Sequence, residues 1–356
     1  MKMKKVWKII LIVLLALVVL VGGYVAYVFL DYHRIGDQTL SAEGEAAGTA
    51  ETGVLYGIVS WNIGFGAYTE DYDFFMDGGT QSWAESPERL ERNLGDIADT
   101  LCAQEADFYL VQEVDIGATR TYQIDERPYI VDGVGDGFAY TFAQNYDSPF
   151  LFYPLTQPHG ASRAGLMTFS SAPIAAAERV ELPIESGFMK LVDLDRCYSV
   201  QHIPMADGEG ELVLYNLHLS AYTSDGTIAT EQLKLLCADM VSEYEKGNWC
   251  VAGGDFNKDV LGNSAEVFGV AGREDDNWAK QIPAGTIPEV LTLVAPTGAA
   301  SCRTPDAPYD PETAFRVTVD GFLVSPNVSV AGAEVVDIGF AYSDHNPVRM
   351  TFTLEK

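Results

Sequence analysis

The most restrictive feature of the sequence is an uncharged apolar segment close to its N-terminus. Residues Ile9–Leu30 contain no acidic or basic side chain, and several lysines precede them. About 20 apolar residues in a helix span the hydrocarbon core of a bilayer. Lysines before the segment and Asp31 after it predict a cytoplasmic N-terminus and an extracellular remainder. We expect residues 1–30 to form an uncleaved, single-pass transmembrane helix in the cell membrane; a cleaved signal peptide is the alternative.

Charge and cysteine content narrow the classes of function. The 356 residues carry a formal net charge of −29, although the N-terminal segment contributes only positive charge. A surface this acidic does not attract nucleic acid or anionic lipid through basic patches. It concentrates divalent cations, so a phosphate substrate would need a metal ion to offset the repulsion. The 5 cysteines lack CxxC or paired spacing, which argues against a zinc site or a disulfide framework, although one disulfide stays open.

A shift in composition marks the next boundary. Residues 31–53 are rich in Ala, Gly, Glu and Thr with little apolar periodicity, and we expect a linker or stalk there. Residues 54–356 are expected to form the catalytic domain. Apolar, strand-like runs dominate it and few helices intervene, which predicts an α+β fold with two packed sheets flanked by helices. The Pro- and Gly-rich segment Phe268–Pro311 is expected to be a long surface excursion.

Two local signals predict particular elements. Ser86 followed by Pro87 is typical of a helix start, with the serine as N-cap and the proline in the first helical position. The helix is expected to lie between two apolar strands, which gives a strand–helix–strand unit. The turn-rich run Ala206–Gly210 joins two further apolar runs and predicts a hairpin.

Polar side chains follow several of the predicted strands. In Val251–Asn257 an apolar run ends in two glycines, and the side chains of Asp255 and Asn257 would then project to one side. For this stretch alone, an Asx-rich turn is the ordinary interpretation. The other polar residues at strand ends are Asn62, Glu113, His218, Asp320, Asp344 and His345.

The chemistry of these residues becomes informative only when they are taken together. Each one alone is more often a turn residue, a solvated strand end or a satisfied core histidine. Scattered carboxylates and amides suit hard cations such as Mg²⁺, Mn²⁺ or Ca²⁺. Two histidines beside several acids fit metal-assisted hydrolysis of a phosphate ester. The joint pattern therefore predicts one site for a divalent cation and a phosphate.

Six ordered segments carry a family resemblance. They are Ser60–Ile63, Val111–Val114, Asn216–Leu219, Gly254–Asn257, Val319–Ser325 and Ser343–Val348. Together they resemble the motifs of the endonuclease/exonuclease/phosphatase superfamily, which has the deoxyribonuclease-I-like fold. Gly165–Ile174 is similar to a further strand motif that ends in Ser-x-x-Pro-Ile. The resemblance covers residues 54–354 and implies a four-layer α/β sandwich with two central, mainly antiparallel sheets flanked by helices.

The resemblance also implies roles for individual residues. Asp255 would orient or deprotonate the attacking water, and Asn257 would hold a phosphate oxygen. His345, steadied by Asp320, and His218 would contact the phosphate and assist the leaving group.

The same resemblance implies a metal site, with departures. Glu113 would bind the divalent metal, with Asn62 and Asp344 beside it. Gly64 occupies a position where many relatives have an acid, so fewer side chains are available as metal ligands. Ser171 replaces a frequent basic residue, and Arg163 could supply a cation nearby.

The expected function is that of a membrane-tethered, divalent-metal-dependent phosphoesterase of the phosphodiesterase or nuclease type. Its substrate would be nucleic acid, a phospholipid headgroup or a small phosphoester. A sphingomyelinase-like enzyme and an inositol-phosphate-type phosphatase are alternatives, and a non-catalytic binding ectodomain is an alternative of another class. The N-terminal helix would contact the membrane, and no obligate protein partner is inferred.

Overall fold

Two central sheets flanked by helices organise the chain, as expected for an α+β sandwich. The structure is a computed structural model that describes residues 2–185, 190, 195–221, 227–270 and 278–356. The α-helices are α1 Lys2–Asp31, α2 Pro87–Cys102, α3 Arg127–Val134, α4 Thr227–Glu245 and α5 Ser264–Val267. The strands are β1 Gln38–Thr39, β2 Leu55–Asn62, β3 Phe108–Asp115, β4 Ala139–Asp147, β5 Arg163–Ser170, β6 Ala176–Glu181, β7 Cys197–Pro204, β8 Glu211–His218, β9 Trp249–Asp255, β10 Thr292–Val294, β11 Cys302–Arg303, β12 Arg316–Val317, β13 Asp320–Val324, β14 Val328–Val335 and β15 Val348–Leu354.

Each sheet has one parallel strand pair at its centre. The first sheet has the strand order β14-β15-β2-β3-β5-β4, and the second has the order β1-β6-β7-β8-β9-β13-β10. β2 pairs with β3 in parallel, and β8 pairs with β9 in parallel. The other pairings are antiparallel. The carboxyl ends of two neighbouring strands therefore meet at one edge in each sheet.

Three apolar clusters define the four layers. Leu94 and Ile97 of α2 pack with Trp61 of β2 on the outer face of the first sheet. Leu236 of α4 packs with Ala252 of β9 on the outer face of the second sheet. The middle cluster lies between the sheets, and its members include Ile58, Phe108, Leu110, Leu212, Leu214, Val251 and Phe322. Neighbours in a strand point to opposite faces, so both sheets are apolar on both faces and form the inner layers.

A buried polar contact crosses the space between the sheets. Nε2 of Gln112 on β3 donates to Oδ1 of Asn216 on β8 at 2.8 Å. Nδ2 of Asn216 donates in turn to the carbonyl oxygen of Met167 on β5 at 2.9 Å. Both amide side chains are fully buried, where an unpaired polar group is costly, so the contact favours one alignment of the two sheets.

The local sequence signals are confirmed. Ser86 caps α2, since its Oγ accepts a hydrogen bond from the backbone N–H of Arg89 at 3.1 Å, and Pro87 is the first helical residue. β2, α2 and β3 form the expected strand–helix–strand unit. β7 and β8 form the expected antiparallel hairpin. All 5 cysteines lie in the described part of the chain and are free thiols.

The segment between the N-terminal helix and the domain differs from the stalk that composition suggested. β1 pairs with β6, and Ala50 is fully buried beside Met205. The guanidinium group of buried Arg179 donates from Nη1 to the carbonyl oxygens of Ile35 at 2.6 Å and Gly36 at 2.9 Å. Backbone groups of the segment thus form hydrogen bonds with the domain. Such contacts leave no periodic pattern of apolar residues, so the sequence did not indicate them.

The excursion Phe268–Pro311 also differs from the expected surface loop. Among its described residues, Ala279, Cys302 and Arg303 are buried. β10 extends the second sheet from this segment, and β11 pairs with β12. Residues 271–277 lie outside the described part of the chain. Tertiary packing thus orders a segment that has no periodic pattern of its own.

The N-terminal helix is a candidate membrane anchor. Met3–Asp31 is long and apolar enough to cross a bilayer, and none of its most apolar 18-residue window is buried, although a signal sequence has the same properties. Its C-terminal part touches the domain at one loop: Oη of Tyr24 donates to the carbonyl oxygen of Phe150 at 3.0 Å. The N–H of Phe150 donates to Oη of Tyr27 at 3.1 Å.

We predict that Gly254→Ala destabilises the domain by about 2–4 kcal/mol. Gly254 has a φ of +147°, and a Cβ there would lie 2.0 Å from the carbonyl oxygen of Leu217. Gly332→Ala is the control, because its Cβ would meet nothing closer than 3.9 Å. Denaturant unfolding followed by tryptophan fluorescence measures both; equal midpoints for the two variants would contradict this account.

Candidate active site

The predicted polar residues converge where strands of the two sheets end. β2 ends at Asn62 and β3 carries Glu113, both in the first sheet. In the second sheet, β8 ends at His218 and β9 ends at Asp255. β13 is antiparallel to β9 and starts at Asp320, directly opposite Asp255. The parallel pair in each sheet thus brings the carboxylates and imidazoles together at one end of the two sheets. We call this cluster of strand-end polar residues the mouth.

Glu113 reaches the mouth through an irregular strand. The pairing of β3 with β5 shifts register between Val111 and Val114, and Glu113 lies in this bulge with a φ of +57°. A bulge re-aims a side chain that regular alternation would direct elsewhere. Asn257 also has a positive φ, of +48°. Non-glycine residues in this region cost about 1–3 kcal/mol each and cluster at functional sites.

Asn62 lies at the centre of the polar cluster. Its Nδ2 donates to Oε1 of Glu113 at 3.1 Å and to Oδ2 of Asp255 at 3.2 Å, and it lies 3.5 Å from Nε2 of His345. Its Oδ1 accepts a hydrogen bond from the backbone N–H of Gly64 at 3.0 Å. One amide therefore connects an acid of the first sheet, an acid of the second sheet and a histidine.

His345 is paired with a buried acid. Its Nδ1 lies 2.7 Å from Oδ2 of Asp320, which also accepts a hydrogen bond from Oγ of Ser301 at 2.7 Å. Burial alone would lower the pKa of His345, but the charge of Asp320 raises that pKa well above its ordinary value. The imidazole is therefore held protonated, with Nε2 turned toward Asp255 at 3.8 Å.

His218 has the opposite charge state. Burial first, and then the charges of Arg196 and His345, lower the pKa of His218 well below its ordinary value. Its Nε2 lies 3.5 Å from Oδ2 of Asp255 and 3.9 Å from Oε1 of Glu113. Because the imidazole of His218 is neutral, its contacts with the two carboxylates are dipolar and are not ion pairs. Two histidines in one mouth thus differ in charge because their partners differ.

Asp255 is nearly inaccessible to solvent and is held by backbone and amide donors. The N–H of Asn257 donates to its Oδ1 at 2.8 Å. Burial, followed by the charge of Asp320, raises the pKa of Asp255 to about 7, although His345 partly offsets both effects. A carboxyl group with a pKa near neutrality suits proton transfer at neutral pH. Nδ2 of Asn257 donates to the carbonyl oxygen of Leu219 at 2.7 Å, which leaves its second amide proton for a ligand.

Asp344 completes the acidic side of the mouth. Burial first, and then the nearby charge of Glu113, raise the pKa of Asp344 to about 6, against the opposing effect of His345. The raised pKa of Asp344 beside the carboxylate of Glu113 fits a position for a cation. A Cβ on Gly64 would lie 2.4 Å from the ring of Tyr68 and 3.1 Å from Oδ1 of Asp344. The backbone and Tyr68 thus require glycine where an acid was expected.

The mouth opens into a cavity of about 140 Å³, which we call the polar cavity. Its walls include every predicted residue named above except Asp320, which lies behind His345. Arg163 is not among these lining residues; it is exposed at the start of β5, opposite Asp147. The residue expected to supply a cation near the phosphate therefore does not line the polar cavity.

Two arginines that sequence reasoning missed line the polar cavity. Arg196 precedes β7, and Arg303 lies in the segment expected to be a surface excursion. Nη2 of Arg303 donates to the carbonyl oxygen of Thr69 at 2.9 Å. Neither arginine lies at the end of a predicted strand, so the search for strand-end polar groups passed over both. The signal available for Arg303 was an arginine within an aperiodic segment of a strongly acidic chain.

A second arrangement of ligands exists beside the first. Asp255, Asp320 and His345 each bring one ligand atom within 4.8 Å of the others. Oδ1 of Asp320 is buried and has no hydrogen-bond partner among the described residues. The mouth therefore contains two adjacent arrangements of cation-ligating atoms.

Comparisons with known proteins identify the fold. The sequence matches no family model and no curated protein. A humanized D. rerio TDP2 structure shares 16% identity at a TM-score of 0.53, covering 84% of this chain and 99% of the other. ANGEL2, described as a 2′,3′-cyclic phosphatase, in complex with adenosine-2′,3′-vanadate, shares 15% at 0.54, covering 89% and 99%. An endonuclease/exonuclease/phosphatase from Beutenbergia cavernae shares 16% at 0.51, covering 85% and 72%.

The expected fold is thereby confirmed: the chain has the fold of endonuclease/exonuclease/phosphatase proteins. At these identities the comparisons establish the architecture. The chemistry has to be argued from the residues in the mouth.

We predict that Asp320→Asn lowers the pKa of His345. In the wild type, Asp320 keeps the imidazole protonated above pH 6.5; without that charge, burial dominates and the neutral form prevails. Proton release should therefore move to lower pH, as followed by NMR of ¹⁵N-labelled histidine. Asp337→Asn, an exposed acid of the same C-terminal region, is the control. An unchanged titration in Asp320→Asn would refute the pairing.

Proposed function

We propose that the protein is a divalent-metal-dependent phosphoesterase that hydrolyses a phosphodiester or phosphomonoester. The observation that supports this most directly is the contact of one amide, Asn62, with Glu113, Asp255 and His345. The mouth thus contains acids that could bind a cation, a carboxylate that could activate water and a charged imidazole that could contact phosphate. A binding module on this fold would not need two histidines held in opposite charge states.

Glu113, Asp344 and Oδ1 of Asn62 would hold the ion, which we take to be Mg²⁺, Mn²⁺ or Ca²⁺. All three offer oxygen atoms, which hard cations prefer. We favour this position over the one formed by Asp255, Asp320 and His345, because a protonated imidazole has no lone pair to donate. When bound, the ion would neutralise phosphate charge and steady the leaving oxygen.

In this proposal Asp255 activates the attacking water. Its carboxylate would orient a water molecule and accept the proton as the water oxygen attacks phosphorus. One P–O bond forms to this oxygen and one P–O bond breaks to the ester oxygen. The leaving oxygen takes a proton from Nε2 of His345, so charge and protons balance. The proton would then return from Asp255 to His345 by way of solvent and restore both groups, because the 3.8 Å between Oδ2 and Nε2 exceeds the reach of a direct hydrogen bond.

The remaining residues would bind and orient the phosphate. Asn257 has a free amide proton for a phosphate oxygen, and neutral His218 can donate one hydrogen bond from its ring. Arg196 and Arg303 add positive charge to the polar cavity. Preorganised donors of this kind usually supply the largest share of the rate enhancement.

We further propose that α1 tethers the catalytic domain to the cell membrane with its N-terminus in the cytoplasm. The support is the length and composition of the helix and the position of its lysines. The catalytic domain, residues 54–356, would then be extracellular. The tie between residues 35–50 and the domain supports treating this segment as part of the same unit.

We predict that Asp255→Ala and His345→Ala each lower turnover of bis(p-nitrophenyl) phosphate in Mg²⁺ by about 10²–10⁴-fold. The reason is the loss of the group that accepts or supplies a proton. His33→Ala is the control, since the His33 side chain is 63% exposed and its ring contacts Asp147, which does not line the polar cavity. Circular dichroism checks folding. Near-wild-type rates in either variant, or wild-type turnover that persists in excess EDTA, would overturn the proposal.

We predict that Glu113→Gln weakens Mn²⁺ binding at least about tenfold, whereas Asp320→Asn leaves it within about threefold. We propose Glu113 as a direct ligand, whereas Asp320 contacts His345. Electron paramagnetic resonance of free Mn²⁺ measures both affinities. The reverse ranking would move the ion to the site formed by Asp255, Asp320 and His345.

A further inference from the structure

An apolar groove lies between the N-terminal helix and the domain. It has a volume of about 540 Å³, within the range of about 300–1,000 Å³ typical of small-molecule sites. Its walls are Tyr24 of α1, Phe75 and Met76, and the loop residues Leu151, Phe152, Tyr153 and Leu155. Phe152, Tyr153 and Leu155 are 52%, 68% and 82% exposed. Clustered exposed apolar side chains of this kind mark a surface that contacts another molecule.

The position of the groove on α1 relates it to a bilayer. Trp7 precedes the apolar stretch of the helix and Tyr24 lies in the C-terminal third of that stretch, about 25 Å from Trp7 at 1.5 Å per residue. Tryptophan and tyrosine favour the two membrane–water interfaces, so Tyr24 belongs at the outer one. Tyr24 also holds the groove loop: its ring packs against Phe152 with centroids 4.9 Å apart, and its Oη accepts the N–H of Phe152 at 3.3 Å.

The groove adjoins a side cavity that leads to the polar cavity. This side cavity of about 90 Å³ shares Glu113, His218, Arg196 and Tyr68 with the polar cavity. The side cavity shares Met76 with the groove. The groove and the acids of the mouth are therefore separated by one small cavity and its walls.

Phe75 forms the wall between the two regions. Its ring lies 5.7 Å from that of Tyr153 in the groove and 5.6 Å from that of His159, which lines the side cavity. Asp77, two residues further along the chain, lines the polar cavity. One short segment thus borders apolar space on one side and the polar mouth on the other.

We propose that the groove binds a hydrocarbon chain of a membrane lipid whose phosphate ester enters the polar cavity. This inference rests on the proposed function and names its substrate class: phosphoester lipids of the bilayer that α1 would span. The lipid's own amphipathic character matches the arrangement, with apolar walls at the interface and ligands for phosphate deeper in the domain. Its chain covers Phe152 and Leu155, which otherwise remain in water.

The test uses the full-length protein in amphipol with alkyl p-nitrophenyl phosphodiesters whose alkyl group is methyl, butyl or octyl. If the groove takes the chain, kcat/KM rises by up to about fourfold per added methylene until the groove is full. The double variant F152S/L155S should flatten this rise, so that octyl and methyl esters differ at least about tenfold less than in the wild type. L235S, an exposed apolar residue on α4, is the matched control and should keep the wild-type slope.

A second arm distinguishes a bilayer lipid from a free amphiphile. The protein is placed in nanodiscs of mixed phosphatidylcholine, phosphatidylethanolamine and phosphatidylglycerol, and mass spectrometry follows the loss of each lipid. Loss of at least one lipid, at least about tenfold slower in F152S/L155S, is the expected result. Chain-length dependence without loss of any bilayer lipid would overturn the assignment to membrane lipid.

The outcomes separate the two proposals. Turnover of the methyl ester with no dependence on chain length would overturn the groove assignment while the proposed function stands. The groove would instead bind a second copy of the chain if kcat/KM does not depend on chain length and the wild type forms dimers that F152S/L155S does not form. Absence of metal-dependent turnover of every ester would overturn the proposed function and the lipid inference together.

Discussion

The hydrogen bond between Gln112 and Asn216 is the interaction on which the site geometry depends. It joins β3 of one sheet to β8 of the other at 2.8 Å, in an interior that is mainly apolar. Apolar contacts alone tolerate sliding, because they have little directional preference. A buried amide pair does not, because each unpaired group would be costly. Glu113 follows Gln112 by one residue and His218 follows Asn216 by two. The alignment of the two sheets therefore also sets the positions of Glu113 and His218 in the mouth.

The sheets and most of the site could be anticipated from the sequence because both depend on short, local patterns. Apolar runs predict strands, and polar residues directly after them predict where side chains gather. The bulge at Glu113 could not be anticipated, since it arises from a register shift against β5. Arg303 was missed for a related reason: its segment is ordered by long-range packing, and its own periodicity is absent.

The charge states of the two histidines illustrate a further limit of sequence reasoning. Asp320 raises the pKa of His345, whereas burial and Arg196 lower that of His218. Neither partner is a sequence neighbour of its histidine. Adjacent Asp344 and His345 suggest an acid–base pair on paper, yet the acid that touches the imidazole is Asp320, 25 residues away. Spatial partners, which only the fold supplies, decide which imidazole carries the charge.

The buried guanidinium of Arg179 has a mechanical consequence. It grips the backbone of Ile35 and Gly36 just after α1, and the hydroxyls of Tyr24 and Tyr27 bind the backbone of the loop at Phe150. The domain therefore has two attachment points to its helix, which together restrict rotation about a single joint. These contacts favour one direction of the domain relative to the helix axis. In a bilayer, encounters with other molecules of the same leaflet would then be governed by two-dimensional diffusion and surface density.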